Sequence, residues 1–209
     1  MKVLIIDDHA IMRRGMISLL QEHFQGVEVG EASDSKTGLA ALSRQVWDLV
    51  LVDISLPGRN GLELIQDIKR EKPTLPILVI STHAEKDYAL RALKLGASGY
   101  VSKLSAADVL IAAVERVSSG RRYISPALAE HLAGTLAGES SGTSHETLSN
   151  RELLVLQLIA SGKTIKEIGS DLALSVKTVA TYRSRIAEKM GISSNVELTR
   201  YAMHHGLVD

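Results

Sequence analysis

Short runs rich in β-branched residues recur through the first half of the chain, at residues 3–6, 27–29, 49–52 and 77–80 and more weakly at Tyr100-Val101. Each is followed by apolar residues at helical spacing, as in Met12, Met16, Leu19 and Leu20, then Leu39 and Leu42, then Leu62, Ile65 and Ile68, then Leu90 and Leu93, then Leu110, Ala113, Val114 and Val117. Strands that are apolar throughout need cover on both faces, which parallel sheets receive from their crossover helices. The repeat therefore predicts an α/β doubly wound domain over residues 1–120, with five parallel strands and its functional edge beyond their carboxyl ends.

The pattern changes after Arg121. An Ala/Leu-rich piece runs to Leu136, followed by a stretch rich in Gly and Ser at 138–145, and the sequence predicts a linker over 121–147. From Leu148 the strand-like runs cease and helix starts take over, with capping boxes at Ser149-x-x-Glu152 and Thr164-x-x-Glu167. Helices are expected over 150–161, 165–173, 176–190 and 195–204, with Gly162 and Gly191 as terminators. Only Leu174-Ser175 separates the second from the third, so residues 148–209 predict an all-α four-helix domain containing a helix-turn-helix.

Composition narrows the chemistry. Lys+Arg and Asp+Glu each number 24, 45% of residues are hydrophobic, and there is no cysteine. A disordered polyelectrolyte, a disulfide framework, a thiol nucleophile and a thiolate metal site are thereby excluded. No apolar run approaches the roughly 18 residues of a membrane span, and Asp7-Asp8 interrupt the start where a secretory leader would continue, so a cytoplasmic protein with no membrane partner is expected.

Acids end two of the strands, Asp7-Asp8 after the first and Asp53 after the third, and a parallel sheet brings both ends to one edge. Three carboxylates there repel one another and call for a cation, for which an all-oxygen set favours Mg²⁺. Ser81 ends the fourth strand and Lys103 follows the fifth, adding a hydroxyl and an ammonium that suit a carboxylate-bound phosphoryl group. A single strand-end Asp is usually a turn residue; the ordered set is what carries the inference.

These residues, with Pro57 and Gly61 after Asp53 and the segment Gly96-Ala97-Ser98-Gly99-Tyr100-Val101-Ser102-Lys103, resemble the receiver domain of two-component response regulators over residues 1–120. The resemblance implies a flavodoxin-like fold in which Asp53 accepts a phosphoryl group from a sensor histidine kinase. It also implies that Asp7, Asp8, Asp53 and the carbonyl of Ser55 hold Mg²⁺, Asp7 through water. Lys103 would pair with phosphoryl oxygens, Ser81 would move toward them, and Tyr100 would rotate inward. Leu104 stands where many receivers carry proline. His9 and His83, beside these groups, are read as loop residues rather than ligands, and the other five histidines form no ligand-spaced cluster.

In the third helix of the tail, Val176, Val179, Ile186 and Met190 fall on one face, opposite Lys177, Ala180, Thr181, Ser184, Arg185 and Glu188. A short, polar, basic face suits a helix entering the major groove. The wider pattern, from Leu148-Ser149-Asn150-Arg151-Glu152 to Lys189-Met190-Gly191, resembles the LuxR/GerE-type DNA-binding domain, and the whole resembles the NarL/FixJ type of response regulator, its tail most similar to regulators of the BvgA kind. DNA contacts are assigned to Lys177, Thr178, Thr181, Ser184, Arg185 and Lys189, and a dimer contact to Val196, Leu198, Tyr201 and Ala202. The implied partners are the kinase, double-stranded promoter DNA with two-fold half-sites, RNA polymerase, and a second copy of the chain when phosphorylated. The expected role is regulation of transcription without an enzymatic activity beyond slow autodephosphorylation.

Two other classes compete. An aspartyl-phosphate hydrolase also uses a strand-end Asp with Mg²⁺ and Lys, but usually in Asp-x-Asp, and Asp53-Ile54-Ser55 lacks the second acid. A nucleotide-binding switch lacks both Gly-rich phosphate motifs. A third reading keeps the DNA-binding tail and makes the receiver a dimerisation module only.

Overall fold

The computed structural model describes residues 1–57, 60–82, 85–136 and 144–208, and the chain forms two compact units, Met1–Ala133 and Gly134–Asp209. His83 and the Gly/Ser stretch 138–143 lie outside the described residues.

In the first unit β1 (Lys2–Ile6), β2 (Glu28–Ala32), β3 (Leu49–Asp53), β4 (Ile77–Ser81) and β5 (Gly99–Ser102) alternate with α1 (Ala10–His23), α2 (Ser35–Arg44), α3 (Gly61–Glu71), α4 (Glu85–Lys94) and α5 (Ala107–Ser118). All strand pairs are parallel, in the order β2-β1-β3-β4-β5. The second strand lies one to three residues later than its sequence signal, because Glu28 pairs with Lys2 and sets the register. Burial explains the continuous apolar runs. Val3, Ile5, Leu49, Leu51, Leu78, Ile80 and Val101 form one core with Met16 and Leu20 of α1 and Ile111, Val114 and Val117 of α5. Leu4, Ile6, Val50, Val52 and Val79, which alternate with them, are buried on the opposite face.

The direction of chain progression reverses between β1 and β3, which diverge toward β2 on one side and β4 on the other. A crevice forms outside the carboxyl ends of such a pair, and Asp7 and Asp53 stand there. The start of α3 closes against this edge: Asn60 caps it by accepting from the Leu62 N–H at 2.8 Å, and the Gly61 N–H donates to the Ile54 carbonyl at 2.9 Å. A Cβ on Gly61 would lie 2.1 Å from the Asp53 carbonyl oxygen, so only glycine lets the helix come this near.

Beyond α5 the sheet gains a parallel bridge from Tyr123 to Gly99. Ser125 then caps α6 (Pro126–Leu136) by accepting from the Leu128 N–H at 3.0 Å, while its hydroxyl donates to Glu85 Oε2 at 2.8 Å. The first half of the expected linker is thus a strand-like bridge and a helix whose Leu128 is buried.

Within the second unit a 3₁₀ turn, Ser144–Thr147, precedes α7 (Asn150–Ala160), α8 (Ile165–Asp171), α9 (Val176–Met190) and α10 (Asn195–His204). Both expected capping boxes are formed. The α8–α9 turn is wider than its sequence signal, residues 172–175, and carries Ala173 in the left-handed region at φ 52°. Gly191 ends α9 in the left-handed conformation.

Gly61→Ala is expected to lower stability by about 1–3 kcal/mol, the usual cost of forcing a methyl into filled space. A urea unfolding midpoint equal to wild type would show that α3 can retreat from Asp53 at no cost.

Candidate phosphoacceptor site and nucleic-acid interface

Asp53 and Asp7 are buried at the sheet edge, and one ammonium serves both: Lys103 Nζ lies 2.8 Å from Asp53 Oδ2 and 2.7 Å from Asp7 Oδ2. The lysine is delivered by backbone pairing that outlasts the strands, its N–H donating to the Ser81 carbonyl at 2.8 Å. The other oxygen of Asp53 accepts from the Ser55 N–H at 3.1 Å, and that of Asp7 from the His9 N–H at 2.7 Å. Arg13 braces the loop from α1, donating to the Asp7 carbonyl at 2.6 Å and pairing with Glu31 at 3.3 Å. Sequence reading missed Arg13; its place one turn into α1 was the available signal.

Burial pushes the Asp53 carboxyl above the ordinary carboxylate range, against the opposing pull of Lys103. Burial also works against the Lys103 charge, but Asp53 and Asp7 outweigh it and hold the ammonium above its usual value. Asp8 is open to solvent beside this pair. Three carboxylates and one ammonium leave the edge two positive charges short, which is the charge of a divalent cation. Donor atoms from Asp7, Asp8, His9 and Asp53 all lie within 4.8 Å of one another, and the three carboxylates among them suit Mg²⁺.

Ser81 is buried at the end of β4, paired in register with Ser102. Tyr100 is already enclosed, 1% exposed, so the inward rotation expected from sequence has no distance to travel in this conformation. Leu104, in the place many receivers give to proline, is exposed. His9, read from sequence as a loop residue rather than a ligand, is the N-cap residue before α1, and its ring Nδ1 pairs with Asp8 Oδ1 at 2.7 Å and stands 3.4 Å from Asp7 Oδ1.

In the second unit α9 buries Val179 and Ile186 and turns Lys177, Thr181, Ser184, Arg185 and Glu188 outward. Thr178 is half-buried and shares its hydroxyl with the N-cap Ser175 at 2.8 Å. One placement from sequence needs correction. Val176 is 55% exposed rather than part of the apolar face, because it is the first helical residue and lies beyond the reach of the core. Lys189 is held by Glu152, Nζ to Oε2 2.6 Å, tying the end of α9 to the capping box of α7. Burial opposes the Glu152 charge, but Lys189 and Ser149 outweigh it and hold its carboxyl below the usual range. Arg183 is likewise committed, to Asn195 Oδ1 at 2.6 Å and to the Ser193 carbonyl. Of the basic residues on α9, only Lys189 has an ion-pair partner among the described residues, and Lys177 and Arg185 have neither that nor the neutral hydrogen bonds of Arg183 among them.

The expected dimer contact also changes. Leu198 and Ala202 are fully buried within the unit, and Tyr201 is half-buried with its hydroxyl 3.0 Å from His145 Nδ1. The apolar residues that α10 exposes are Val196, 78%, and Met203, 56%. Their i, i+7 spacing was the signal missed. The core claims Leu198 and Ala202 because they sit between these two on the helix's other side.

Comparison with known proteins covers both units. The response regulator receiver domain family matches residues 3–115, and the luxR family of bacterial regulatory proteins matches residues 146–202. Response regulator GacA of Pseudomonas aeruginosa is 35% identical over 210 residues, spanning 100% of this chain and 98% of that protein. Response regulator UvrY of Escherichia coli is 36% identical over 207 residues, spanning 98% of this chain and 94% of that protein. Among solved structures, the RcsB response regulator of Salmonella typhimurium superposes with a TM-score of 0.61 at 28% identity, covering 97% of this chain and 98% of that one. RcsB bound to promoter rprA in the presence of phosphomimetic BeF3⁻ gives a TM-score of 0.68 at 28% identity, over 96% and 97% of the two chains. Among the described residues no helix is long and apolar enough to cross a membrane.

Raising the folded-state pKa of Asp53 makes the stabilising contribution of its protonated form complete below about pH 4 and lost as pH rises through the raised value. Asp53→Asn removes that titration. In chelator-treated protein, the stability of Asp53→Asn relative to wild type is expected to improve as pH climbs from about 4 toward neutrality. Urea melts at each pH measure it, and a constant difference would contradict the assignment.

Proposed function

The chain belongs to the response regulators that join a receiver domain to a LuxR-type DNA-binding domain, and from that premise we propose that Asp53 is its phosphoacceptor and α9 its DNA-reading helix. The observation that carries the first half is the single ammonium shared by two buried carboxylates, Asp7 and Asp53.

A sensor histidine kinase supplies the phosphoryl group, and the Asp53 carboxylate attacks its phosphorus while the imidazole of the kinase leaves. Asp8, Asp53 and the Ser55 carbonyl would hold Mg²⁺, with Asp7 helping to position it. The ion would supply neutralisation of phosphoryl and carboxylate charge. Lys103 is placed to follow the new oxygens, since it already pairs with Asp53 Oδ2. The Ser81 hydroxyl donates to a phosphoryl oxygen, and Tyr100, enclosed in this conformation, is the second half of the switch. The exposed apolar residues Ile11 and Leu104 flank the acid edge in sequence and suit the close approach of a partner's helix. A hydrolase would place a second acid two residues after Asp53, where this chain has Ser55. Slow autodephosphorylation is the only enzymatic activity assigned.

Phosphorylation favours a dimer whose two α9 helices enter successive major grooves of a two-fold symmetric promoter site. Lys177 and Arg185 supply the cations for phosphates or guanine edges, Thr178, Thr181 and Ser184 the short polar contacts, and Val176 an apolar one for a thymine methyl. Val196 and Met203 form the contact between the two DNA-binding units, and RNA polymerase is the partner through which bound dimers act on transcription. The receiver spans residues 1–120 and the DNA-binding domain residues 148–209, in a cytoplasmic protein.

The intact mass after incubation with a small phosphodonor and Mg²⁺ is expected to rise by one base-labile phosphoryl group in wild type and not in Asp53→Asn. Addition to both places the acceptor elsewhere. Arg185→Ala is expected to weaken promoter binding by about 1–3 kcal/mol, roughly five- to 150-fold, at matched salt while leaving phosphorylation intact; unchanged binding removes Arg185 from the DNA face.

A further inference from the structure

The chain leaving the receiver is tied back to the helix that begins just past Ser81. After α5, Tyr123 lies beside Gly99 in a parallel bridge, its N–H donating to the Ser98 carbonyl at 2.9 Å. Parallel pairing carries the next residues along β5 toward the carboxyl edge of the sheet, where Ser125 meets Glu85, the first residue of α4. The Ser125 hydroxyl donates to Glu85 Oε2 at 2.8 Å while its oxygen accepts from the Leu128 N–H at 3.0 Å. The other oxygen of Glu85 is buried without a partner, so Ser125 is the one hydrogen-bond donor its carboxylate has among the described residues. Burial and the Glu85 charge together push the Tyr123 phenol above its ordinary range, which puts ring and carboxylate in one corner.

The two ends of this bond are anchored differently. Ser125 is referred to β5 through Tyr123, whereas Glu85 follows Ser81 by four residues, a tether of at most about 14 Å. A shift of the Ser81 segment toward Asp53 is passed along that tether, and parting the two oxygens by about 1 Å ends the hydrogen bond. α6 has little else to hold it. It is 11 residues long, a length at which an isolated helix is marginal in water, and Leu128 is the one fully buried side chain among those described on it. The division between the two compact units also falls inside α6, after Ala133.

We propose that the Ser125–Glu85 bond is a latch that holds α6 on the receiver while Asp53 is a free carboxylate and opens when Asp53 carries a phosphoryl group. The proposal rests on the reading of Asp53 as phosphoacceptor and adds the contact through which its state reaches the linker. It extends the phosphorylation-sensitive part of the chain past residue 115, where the match to the receiver family ends. Coupling between two sites is reciprocal, so opening the latch by substitution tightens the hold on a phosphoryl group at Asp53 by the factor with which that group loosens α6.

Ser125→Asp keeps an acceptor for the Leu128 N–H, since aspartate caps a helix as well as serine does, but sets a second carboxylate against Glu85. Adding Glu85→Gln removes that repulsion. Full-length wild type, Ser125→Asp and the double variant are titrated with the phosphoryl mimic BeF3⁻ in Mg²⁺, with occupancy followed by fluorine NMR and the amides of residues 127–133 by hydrogen exchange. In wild type, BeF3⁻ is expected to speed exchange in α6 by about fivefold or more. Ser125→Asp is expected to exchange that fast without BeF3⁻ and to bind it about fivefold or more tightly than wild type, and the double variant to return both to within about twofold of wild type. Exchange in wild-type α6 that BeF3⁻ leaves unchanged, or Ser125→Asp that loosens α6 without tightening BeF3⁻ binding, overturns the latch and leaves Asp53 as acceptor. Loosening that persists in the double variant marks a damaged cap and overturns the latch as well. Failure of folded wild type to take up BeF3⁻ removes the phosphoacceptor reading and the latch with it.

Discussion

One ammonium shared by two buried carboxylates organises the receiver. Lys103 reaches Asp7 and Asp53 only because β1, β3 and β5 end at one level, and the sheet order that brings those ends together is fixed by the parallel pairings between them. Buried charges of this kind are tolerated when paired and strongly destabilising when a partner is withdrawn. The fold therefore holds its acids in place with a cation that is insufficient to neutralise them, since Asp8 adds a third negative charge beside the pair. That shortfall is the chemical content of the edge: its charge is compatible with a dication, and the surroundings of Asp53 change sharply when charge is added or removed.

How much of this was legible follows from how local each signal is. The strands and the four tail helices were readable because apolar runs and capping boxes act within a few residues, and α9 and α10 begin and end where sequence places them. The acid, hydroxyl and lysine set was readable because strand ends in a parallel sheet share an edge whatever the details of packing. What escaped depended on partners distant in sequence. Lys189 looks like a free basic residue on a DNA-facing helix until Glu152 is placed against it, 37 residues away. Leu198 and Ala202 look like an available apolar face until α7 covers them. His9 looks incidental because periodicity cannot say which way a ring at a helix N-cap turns.

The expected linker shows the same limit. Tyr123, Ser125 and Pro126 fall within the expected linker, as does the Ala/Leu-rich piece after them. In the structure Tyr123 extends the sheet beside Gly99, and Ser125 spans from the cap of α6 to Glu85 at the start of α4. The chain leaving the receiver is thus fastened to the helix that follows Ser81, by a hydroxyl and a carboxylate 40 residues apart in sequence.

In the second unit, Glu152 accepts the Ser149 N–H at 2.7 Å and the Lys189 ammonium at 2.6 Å with the same oxygen, so one carboxylate both starts α7 and braces the last turn of α9. Genetics would see this as a division among alleles. Changes at Ser149, Glu152 or Lys189 loosen the scaffold and produce temperature-sensitive regulators with their operator preference intact. On the proposed assignment of α9 to DNA, changes on its outward face would instead alter which promoters respond, at every temperature.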